Sequence, residues 1–287
     1  MSAMSKTILV TGGNSGIGAA LCKLLATEHG CRVLLGARSP EKGEKAKADI
    51  VAKYPDAKID VVAIDVASDS SVAAAAAAVK AMGVTLYALV NNAGLGLAQA
   101  DDDAHNTAAV MNVNYAGPKR VTDAFVPLIQ PDGGRVVNVS SGAASAWVKG
   151  QDAATKKLYS TPGLTQAQLD ASVAKEVAAG NVGWGDGYGI SKAALTALTL
   201  VQAAAHPKLV VVSLSPGFIM TPMTVGYGAK LSPEEGCKSS LKCLFGDVVS
   251  GLYYGSDGLR SPMTVSRDPG TPEYAGEDDP DPAKYNK

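Results

Sequence analysis

A tyrosine and a lysine four positions apart, Tyr188 and Lys192, could carry out proton transfer together. They fall in a stretch predicted to be helical, and residues at positions i and i+4 of a helix face the same side. A free tyrosine has a pKa of about 10, and a nearby ammonium group favours the phenolate and lowers that pKa. The pair could then exchange a proton near neutral pH. Taken alone, Tyr-x-x-x-Lys is more often two ordinary surface residues, so its meaning depends on its surroundings.

A glycine-rich turn near the start of the chain lies between a predicted strand and a predicted helix. Residues 11–18 read TGGNSGIG, and the glycines at 12, 16 and 18 let the backbone turn tightly against a pyrophosphate. The following helix would present unpaired N–H groups and the positive end of its dipole. Glycine also serves ordinary turns, so the residues alone are weak evidence. Their placement between strand and helix favours dinucleotide binding over a plain turn.

An arginine stands where dinucleotide-binding folds distinguish NAD from NADP. An acid about 20 residues past the glycine turn holds the ribose 2′-hydroxyl of NAD, whereas an arginine there suits a 2′-phosphate. Arg38 lies 20 residues past Gly18, and residues 36–39 contain no acid. A guanidinium group can bind phosphate through two hydrogen bonds. The sequence therefore predicts NADP or NADPH, and the alternative is a solvated loop arginine.

Alternating strands and helices would position these residues. Short apolar runs at 7–11, 32–37, 59–64, 86–91, 135–140 and 210–215 predict buried parallel strands. Helical spacing covers 16–29, 42–53 and 70–82 between them. The alternation from residue 7 to residue 255 predicts an α/β fold. It consists of a single doubly wound parallel sheet of the Rossmann type, with helices on both faces.

Composition and charge exclude several classes of protein. With 46% hydrophobic and 18% charged residues, the chain suits a soluble protein with one sizeable core. A formal net charge of -1 gives no reason to expect nucleic acid or anionic membrane as a partner. No apolar run approaches the roughly 20 residues that span a bilayer. Residues 1–6 lack the apolar core of a signal peptide, so we expect a cytoplasmic protein without membrane contact.

The cysteines and histidines give no sign of a metal site. Three histidines are present, and none of the four cysteines forms a Cys-x-x-Cys pair. We expect no metal and reduced, mostly buried thiols in a reducing compartment. The cysteines are Cys22, Cys31, Cys237 and Cys243.

Five motifs together resemble the short-chain dehydrogenase/reductase family. The glycine turn has the spacing Gly-x-x-x-Gly-x-Gly rather than Gly-x-Gly-x-x-Gly. Four further motifs follow in family order, and the five together cover about residues 7 to 221. Any one motif could arise by chance, whereas five in order point to the family. The four are Asn91-Asn-Ala-Gly94, Ser140-Ser141, Tyr188-x-x-x-Lys192, and Pro216-Gly217 with Thr221.

The resemblance implies roles for four catalytic residues. Tyr188 would protonate the substrate oxygen as hydride arrives from the nicotinamide, and Lys192 would also bind the nicotinamide ribose. Ser141 matches the family's catalytic serine, which hydrogen-bonds the substrate oxygen. Asn114 matches the asparagine that holds a water next to the lysine. The less favoured alternatives are Ser140 and Asn112.

The resemblance also implies the cofactor contacts. Asp65 would hydrogen-bond the adenine with Val66 beside it, and the segment after the sixth strand would wrap the nicotinamide carboxamide. Ser15 occupies a position in the turn where NADP-preferring members often have a second basic residue, so that group is missing here. The predicted contacts are Gly12, Asn14, Ser15, Gly16, Ile17, Gly18, Arg38, Asp65, Val66, Asn92, Ala93, Gly94, Tyr188, Lys192, Pro216, Gly217, Ile219 and Thr221.

One segment departs from the compact family pattern. Ser141 and Tyr188 are 47 positions apart, where compact members have about a dozen, so residues 148–187 would form an insertion. Within it, Thr165-Gln-Ala-Gln168 predicts a capping box that starts a helix ending near Gly180. A similar insertion is typical of the carbonyl reductases of the family. We therefore expect one domain over 1–259 with a helical insertion.

The final residues, 260–287, combine prolines with clustered acids and show no usable periodicity. They predict an irregular, acidic, proline-rich surface tail rather than a further domain.

These features predict NADPH-dependent reduction of a ketone, aldehyde or quinone to an alcohol. A secondary-alcohol or steroid-like dehydrogenase is the alternative, and a non-catalytic NADP-binding redox sensor is a remote one. Trp184 could line the substrate pocket or only pack against neighbours. The inserted helix carries an apolar stripe, which could cover the helical face through which compact members associate, so we expect a monomer. The stripe consists of Leu169, Val173 and Val177.

Overall fold

The computed structural model describes residues 6–96 and 106–286, and within them seven strands form one parallel sheet. The strand order is β3-β2-β1-β4-β5-β6-β7, so the order reverses between β1 and β4. This confirms the predicted doubly wound α/β fold, and such a reversal opens a crevice at the carboxyl ends of the strands. The strands are β1 (Thr7–Thr11), β2 (Arg32–Ala37), β3 (Ile59–Ala63), β4 (Leu86–Asn91), β5 (Arg135–Val139), β6 (Val210–Leu214) and β7 (Tyr253–Tyr254).

Helices cover both faces of the sheet because alternate residues of each strand point to opposite sides. Ile8 and Val10 pack with α1 and α10, whereas Leu9 packs with α3 and α5 on the other face. The helices are α1 (Gly16–Thr27), α2 (Pro40–Val51), α3 (Asp69–Ala81), α4 (Thr107–Met111), α5 (Gly117–Phe125), α6 (Gly142–Lys149), α7 (Ala153–Ser160), α8 (Gln166–Ala178), α9 (Tyr188–Ala205), α10 (Lys238–Phe245) and α11 (Pro282–Tyr285). None of these described helices is both long and apolar enough to cross a membrane.

The segment between Ser141 and Tyr188 contains three helices, α6, α7 and α8, where the sequence predicts only the last of them. The predicted capping box is present at the start of α8, and the Thr165 side chain accepts from the Gln168 amide at 3.3 Å. Leu169 and Val173 of α8 are buried in one apolar cluster with residues of α9. The apolar stripe of the insertion therefore packs on α9, the helix that begins at the tyrosine.

The segment after residue 260 is anchored to the sheet domain. Arg267 and Asp257 form a two-pronged ion pair with both N–O distances at 2.9 Å, and their side chains are only 1% and 14% exposed. Further along, Tyr285 of α11 is fully buried and donates to the Glu277 carboxylate at 2.9 Å. Most of the segment is irregular, as its composition predicts, yet buried polar contacts hold it in place.

Candidate active site

The glycine turn after β1 has a backbone that no larger residue could replace. Gly12 and Gly16 have positive φ angles of 65° and 52°, in the region that favours glycine. A Cβ atom on Gly18 would lie 2.2 Å from the carbonyl oxygen of Gly12. The Asn92 side chain donates to the carbonyl of Thr11 at 2.8 Å and fixes the turn from the neighbouring strand. The turn is thus held against the N-terminus of α1, whose free N–H groups suit a pyrophosphate.

A cavity of about 460 Å³ runs from this turn along the carboxyl edge of the sheet to Tyr188. Its walls include most of the residues predicted from the sequence. Those that line it are Gly12, Asn14, Ser15, Gly16, Ile17, Gly18, Arg38, Asp65, Val66, Asn92, Ala93, Gly94, Tyr188, Lys192, Pro216 and Thr221. Gly217 and Ile219 belong to the same segment as Pro216 but do not line the cavity among the described residues, and their cofactor contacts stay predictions. Ser141 and Asn114 do not line it either, whereas the alternative serine, Ser140, does.

Several residues of the cavity wall were not predicted from the sequence. Ile64 and Val139 could have been predicted from the sequence as wall residues, because each lies at the carboxyl end of a parallel strand. Gly96 lies where a Cβ atom would be 2.8 Å from the Tyr188 ring, so the chain passes directly over the phenol. The sequence feature that could have identified Gly96 is its position as a second glycine, two residues after Gly94. The remaining unassigned walls are Leu95, Val113, Pro222 and Met223, for which no motif gives a signal.

The far end of the cavity suits the adenosine half of a dinucleotide. Arg38 is exposed there, and within residues 6–96 and 106–286 no carboxylate forms an ion pair with it. Asp65 accepts from the Ala67 amide at 3.0 Å, which holds its carboxylate at the cavity wall. The glycine turn, the α1 N-terminus and these two side chains together fit a nicotinamide dinucleotide.

Tyr188 and Lys192 lie on one side of α9 at the other end of the cavity, as their spacing predicts. Nζ of Lys192 is 5.7 Å from the centre of the Tyr188 ring and donates to the Val139 carbonyl at 2.9 Å. The lysine side chain is buried, which lowers its pKa from 10.5 to about 8. The backbone turns into the helix through Gly187, whose φ angle is 95°.

The expected lowering of the Tyr188 pKa is not what the structure gives. Burial raises the pKa of Tyr188 above 10.0, and a hydrogen bond with the Ser141 side chain offsets part of that increase. The lysine ammonium is directed to the Val139 carbonyl instead of the phenol. Tyr188 is therefore held protonated, as a proton donor, in this structure.

Of the two candidate serines, only Ser141 is directed toward Tyr188. The Ser140 hydroxyl donates to the Lys192 carbonyl at 3.0 Å and pairs with Thr196 at 2.7 Å, so it ties β5 to α9. The Ser141 hydroxyl caps α6 by accepting from the Ala143 amide at 3.2 Å and also hydrogen-bonds Tyr188. The geometry favours Ser141 as the serine that shares a substrate oxygen with the tyrosine.

Asn114 supports the same end of the site from a π-helical turn, Asn112–Ala116. Its side chain accepts from the Leu95 amide at 2.8 Å, donates to the Leu95 carbonyl at 2.7 Å and donates to Ser191 at 3.0 Å. It thus joins the segment after β4 to α9, one residue before the lysine. The alternative, Asn112, instead donates to the Ala67 carbonyl at 3.2 Å. Single π turns of this kind are common at functional sites.

The mouth of the site beside Tyr188 is apolar and exposed. Trp184 is 58% exposed, and its ring lies edge-on to Tyr188 at 6.1 Å and to Tyr227 at 6.4 Å. Phe218, Met220 and Val225, in the segment that also carries Thr221 of the cavity wall and Tyr227, are exposed as well. Exposed apolar side chains beside a polar site are typical of a ligand-binding surface.

Comparison with known proteins places this arrangement in a family. The profile of the short chain dehydrogenase family matches residues 6–182, which end before Tyr188. (+)-Neomenthol dehydrogenase of Arabidopsis thaliana is 32% identical over 82% of this chain and 89% of that protein. Carbonyl reductase (NADPH) 1 of Mus musculus is 30% identical over 83% of this chain and 90% of that protein. The chain therefore belongs to the short-chain dehydrogenase family.

A solved structure supports the same assignment. Salutaridine reductase from Papaver somniferum superposes with a TM-score of 0.76 at 28% identity, over 87% of this chain and 99% of that one. The protein is accordingly an oxidoreductase of a family that binds nicotinamide cofactors, and its relatives include carbonyl reductases.

Proposed function

We propose that the protein uses NADPH to reduce the carbonyl group of an apolar ketone, aldehyde or quinone to an alcohol. One observation carries the proposal: Tyr188, with the Ser141 side chain beside it, and Lys192 lie at one end of a cavity whose other end holds a glycine turn and Arg38. NADPH, when bound, supplies the hydride that the carbonyl carbon receives.

The side chains account for the proton and the oxygen. Tyr188, held protonated by burial, donates its hydroxyl proton to the carbonyl oxygen, which becomes the alcohol oxygen. Ser141 hydrogen-bonds the same oxygen and stabilises the charge that develops on it. Lys192, fixed by the Val139 carbonyl, binds ribose hydroxyls and stabilises the phenolate left on Tyr188 until solvent returns a proton. Asn114 would hold a water next to Lys192, and this water would pass the returning proton toward Tyr188.

The preference for NADPH over NADH rests on Arg38. Its guanidinium group is exposed at the adenosine end of the cavity and, in the described part of the chain, has no carboxylate partner. A 2′-phosphate would provide that partner, whereas the 2′-hydroxyl of NADH would not. The name of the mouse relative, which specifies NADPH, agrees with this preference.

The apolar character of the substrate is supported by the mouth beside Tyr188. A substrate must bring its carbonyl to the phenol while its skeleton lies against Trp184 and its exposed neighbours. Removing those side chains from water would favour an apolar skeleton, since binding energy follows the apolar area buried.

A panel assay tests the proposal. Purified protein would be supplied with NADPH and pairs of ketones that carry the same reacting group on apolar or charged skeletons, and NADPH loss followed by absorbance. We expect turnover of the apolar member of each pair and little with NADH. Turnover with none of the compounds, in protein shown to bind NADPH, would overturn the proposal.

We also propose that the protein is a monomer. Helix α8 packs Leu169 and Val173 against α9, the helix whose outer face compact family members use for association. A second subunit would have to displace α8 to reach that face.

A further inference from the structure

A second buried tyrosine lies behind the proposed active site. Tyr253 and Tyr254 form the short strand β7 at the edge of the sheet, and their side chains point to opposite faces. Tyr253 belongs to the apolar cluster of α6 and α9, and Tyr254 belongs to the cluster on the other face. The two rings are equally buried, so they provide a natural comparison.

The Tyr253 hydroxyl lies between the segments that follow β5 and β6. It donates to the carbonyl oxygen of Ser141 at 3.1 Å. Burial raises the pKa of Tyr253, and the Ser215 side chain offsets part of that rise. Ser215 also accepts from the Gly217 amide at 3.4 Å.

The hydrogen bond from Tyr253 ends on Ser141, the residue whose side chain opposes the rise in the Tyr188 pKa that burial causes. The Ser141 carbonyl accepts from the Ala144 amide at 3.0 Å as well as from Tyr253. Two donors of different direction fix the orientation of this peptide group, and with it the start of α6. The Ser141 hydroxyl, which caps α6, is carried on the same rigid turn. Tyr253 can therefore set where that hydroxyl points.

The C-terminal segment holds Tyr253 in place. The Ser261 amide donates to the Tyr253 carbonyl at 2.8 Å, and Tyr254 forms a bridge with Arg260. The buried ion pair between Arg267 and Asp257 closes this segment on itself. The C-terminal segment is thus connected to the proposed active site through the Tyr253 hydroxyl group.

We propose that Tyr253 is a positioning residue that orients Ser141 toward the substrate oxygen through its hydrogen bond to the Ser141 carbonyl. The proposal rests on the proposed function, because it assigns Ser141 a part in carbonyl reduction. Tyr253 lines no part of the cavity within the described residues, and its hydroxyl donates to the Ser141 carbonyl, so we expect it to act through Ser141.

The first test compares Tyr253→Phe with Tyr254→Phe. Both variants keep the ring and remove one buried hydroxyl, and the Tyr254 hydroxyl accepts from the Val249 amide at 2.8 Å, far from Ser141 in the fold. We expect Tyr253→Phe to lower kcat on the order of 3- to 10-fold, the effect of one hydrogen bond, with KM values unchanged. Tyr254→Phe should leave kcat unchanged while lowering the melting temperature to a similar extent. Equal kcat in Tyr253→Phe and wild type would overturn the proposal.

The second test is a double-mutant cycle with Ser141→Ala. If Tyr253 acts through Ser141, Tyr253→Phe has no further effect on kcat once the Ser141 hydroxyl is gone. The same fold-loss in both backgrounds would show an effect independent of Ser141 and would reject the positioning role.

The two proposals fail in different ways. A wild-type protein that binds NADPH but reduces no carbonyl compound contradicts the proposed function. A wild-type protein that is active and is inactivated by Tyr188→Phe, yet is unaffected by Tyr253→Phe, contradicts only the role of Tyr253.

Discussion

Nζ of Lys192 lies 5.7 Å from the centre of the Tyr188 ring while it donates to the carbonyl that ends β5. The lysine is therefore fixed by the sheet and presented beneath the phenol. Burial lowers the pKa of Lys192 to about 8 and raises the pKa of Tyr188. The two pKa values therefore move apart and the lysine loses its proton before the phenol does, so Tyr188 remains a protonated donor below pH 8.

The buried lysine should make stability depend on pH. Below pH 8 Lys192 is charged in both folded and unfolded states, and the cost of burying that charge is fully present. Between about 8 and 10.5 the unfolded state binds more protons, so this cost is relieved and the free energy of unfolding rises with pH. We expect Lys192→Met to be most stabilising, relative to wild type, near neutral pH and less so near pH 10.5. Urea unfolding at both pH values measures this, and Lys53→Met, an exposed site, is the control.

If the difference in the free energy of unfolding between Lys192→Met and wild type is the same at both pH values, the lowered pKa of Lys192 is contradicted.

Reversing the charge at Arg38 should change the choice of cofactor. A glutamate there would repel a 2′-phosphate and could accept from a 2′-hydroxyl. We expect Arg38→Glu to lower kcat/KM for NADPH about 10- to 100-fold, the effect of losing a charge-assisted hydrogen bond, with a smaller change for NADH. Lys53→Glu makes the same charge change beyond the end of α2 and should leave both values unaltered. Equal use of the two cofactors by wild type would show that Arg38 is only a loop residue.

The covered face of α9 predicts the state of assembly. Light scattering after size exclusion should give a mass near 29.1 kDa, that of one chain. Leu169→Ala, which removes a fully buried side chain from the contact of α8 with α9, should lower the free energy of unfolding by about 2–5 kcal/mol. Lys157→Ala, at an exposed position of α7 in the same insertion, should change it little. A stable dimer or tetramer would contradict the monomer proposal.

The ion pair between Arg267 and Asp257 should be needed for stability. Asp257→Ala leaves a buried guanidinium group without its partner, which costs about 3–5 kcal/mol. Lys284→Ala removes a partly exposed ion pair with Glu277 and should change the free energy of unfolding much less. Burial alone would raise the pKa of Asp257, but hydrogen bonds from Arg267 and from two backbone amides outweigh it and lower that pKa. The stabilisation should therefore be present above pH 4 and be lost as the pH falls through the depressed value. Chemical unfolding at several pH values measures both effects, and an Asp257→Ala protein as stable as wild type would contradict them.

The parts of the site that depend on local sequence could be predicted. The glycine turn works through its own backbone, and Tyr188 and Lys192 share one helix turn, so spacing alone identifies them. The choice of Ser141 over Ser140 came from the family resemblance and not from the residues themselves, since it depends on which hydroxyl faces α9 and which faces the phenol.

Contacts between distant segments gave no sequence signal. Tyr253 meets Ser141 across 112 positions, and no motif marks either the contact or the edge strand that carries it. Two short helices between Ser141 and Tyr188, α6 and α7, were not predicted because eight residues are too few to establish a helical period against their neighbours. Their stability comes from packing on α9, which sequence patterns do not describe.

The central claim is that Tyr188 is the proton donor of a carbonyl reductase. Tyr188→Phe keeps the ring and removes only the hydroxyl, so the most direct measurement is kcat for NADPH-dependent ketone reduction in this variant, together with NADPH binding by fluorescence. We expect binding close to that of wild type and a kcat lower by about 10²- to 10⁴-fold, the usual contribution of general acid catalysis. Activity within a few-fold of wild type, in a variant that binds NADPH normally, would contradict the account.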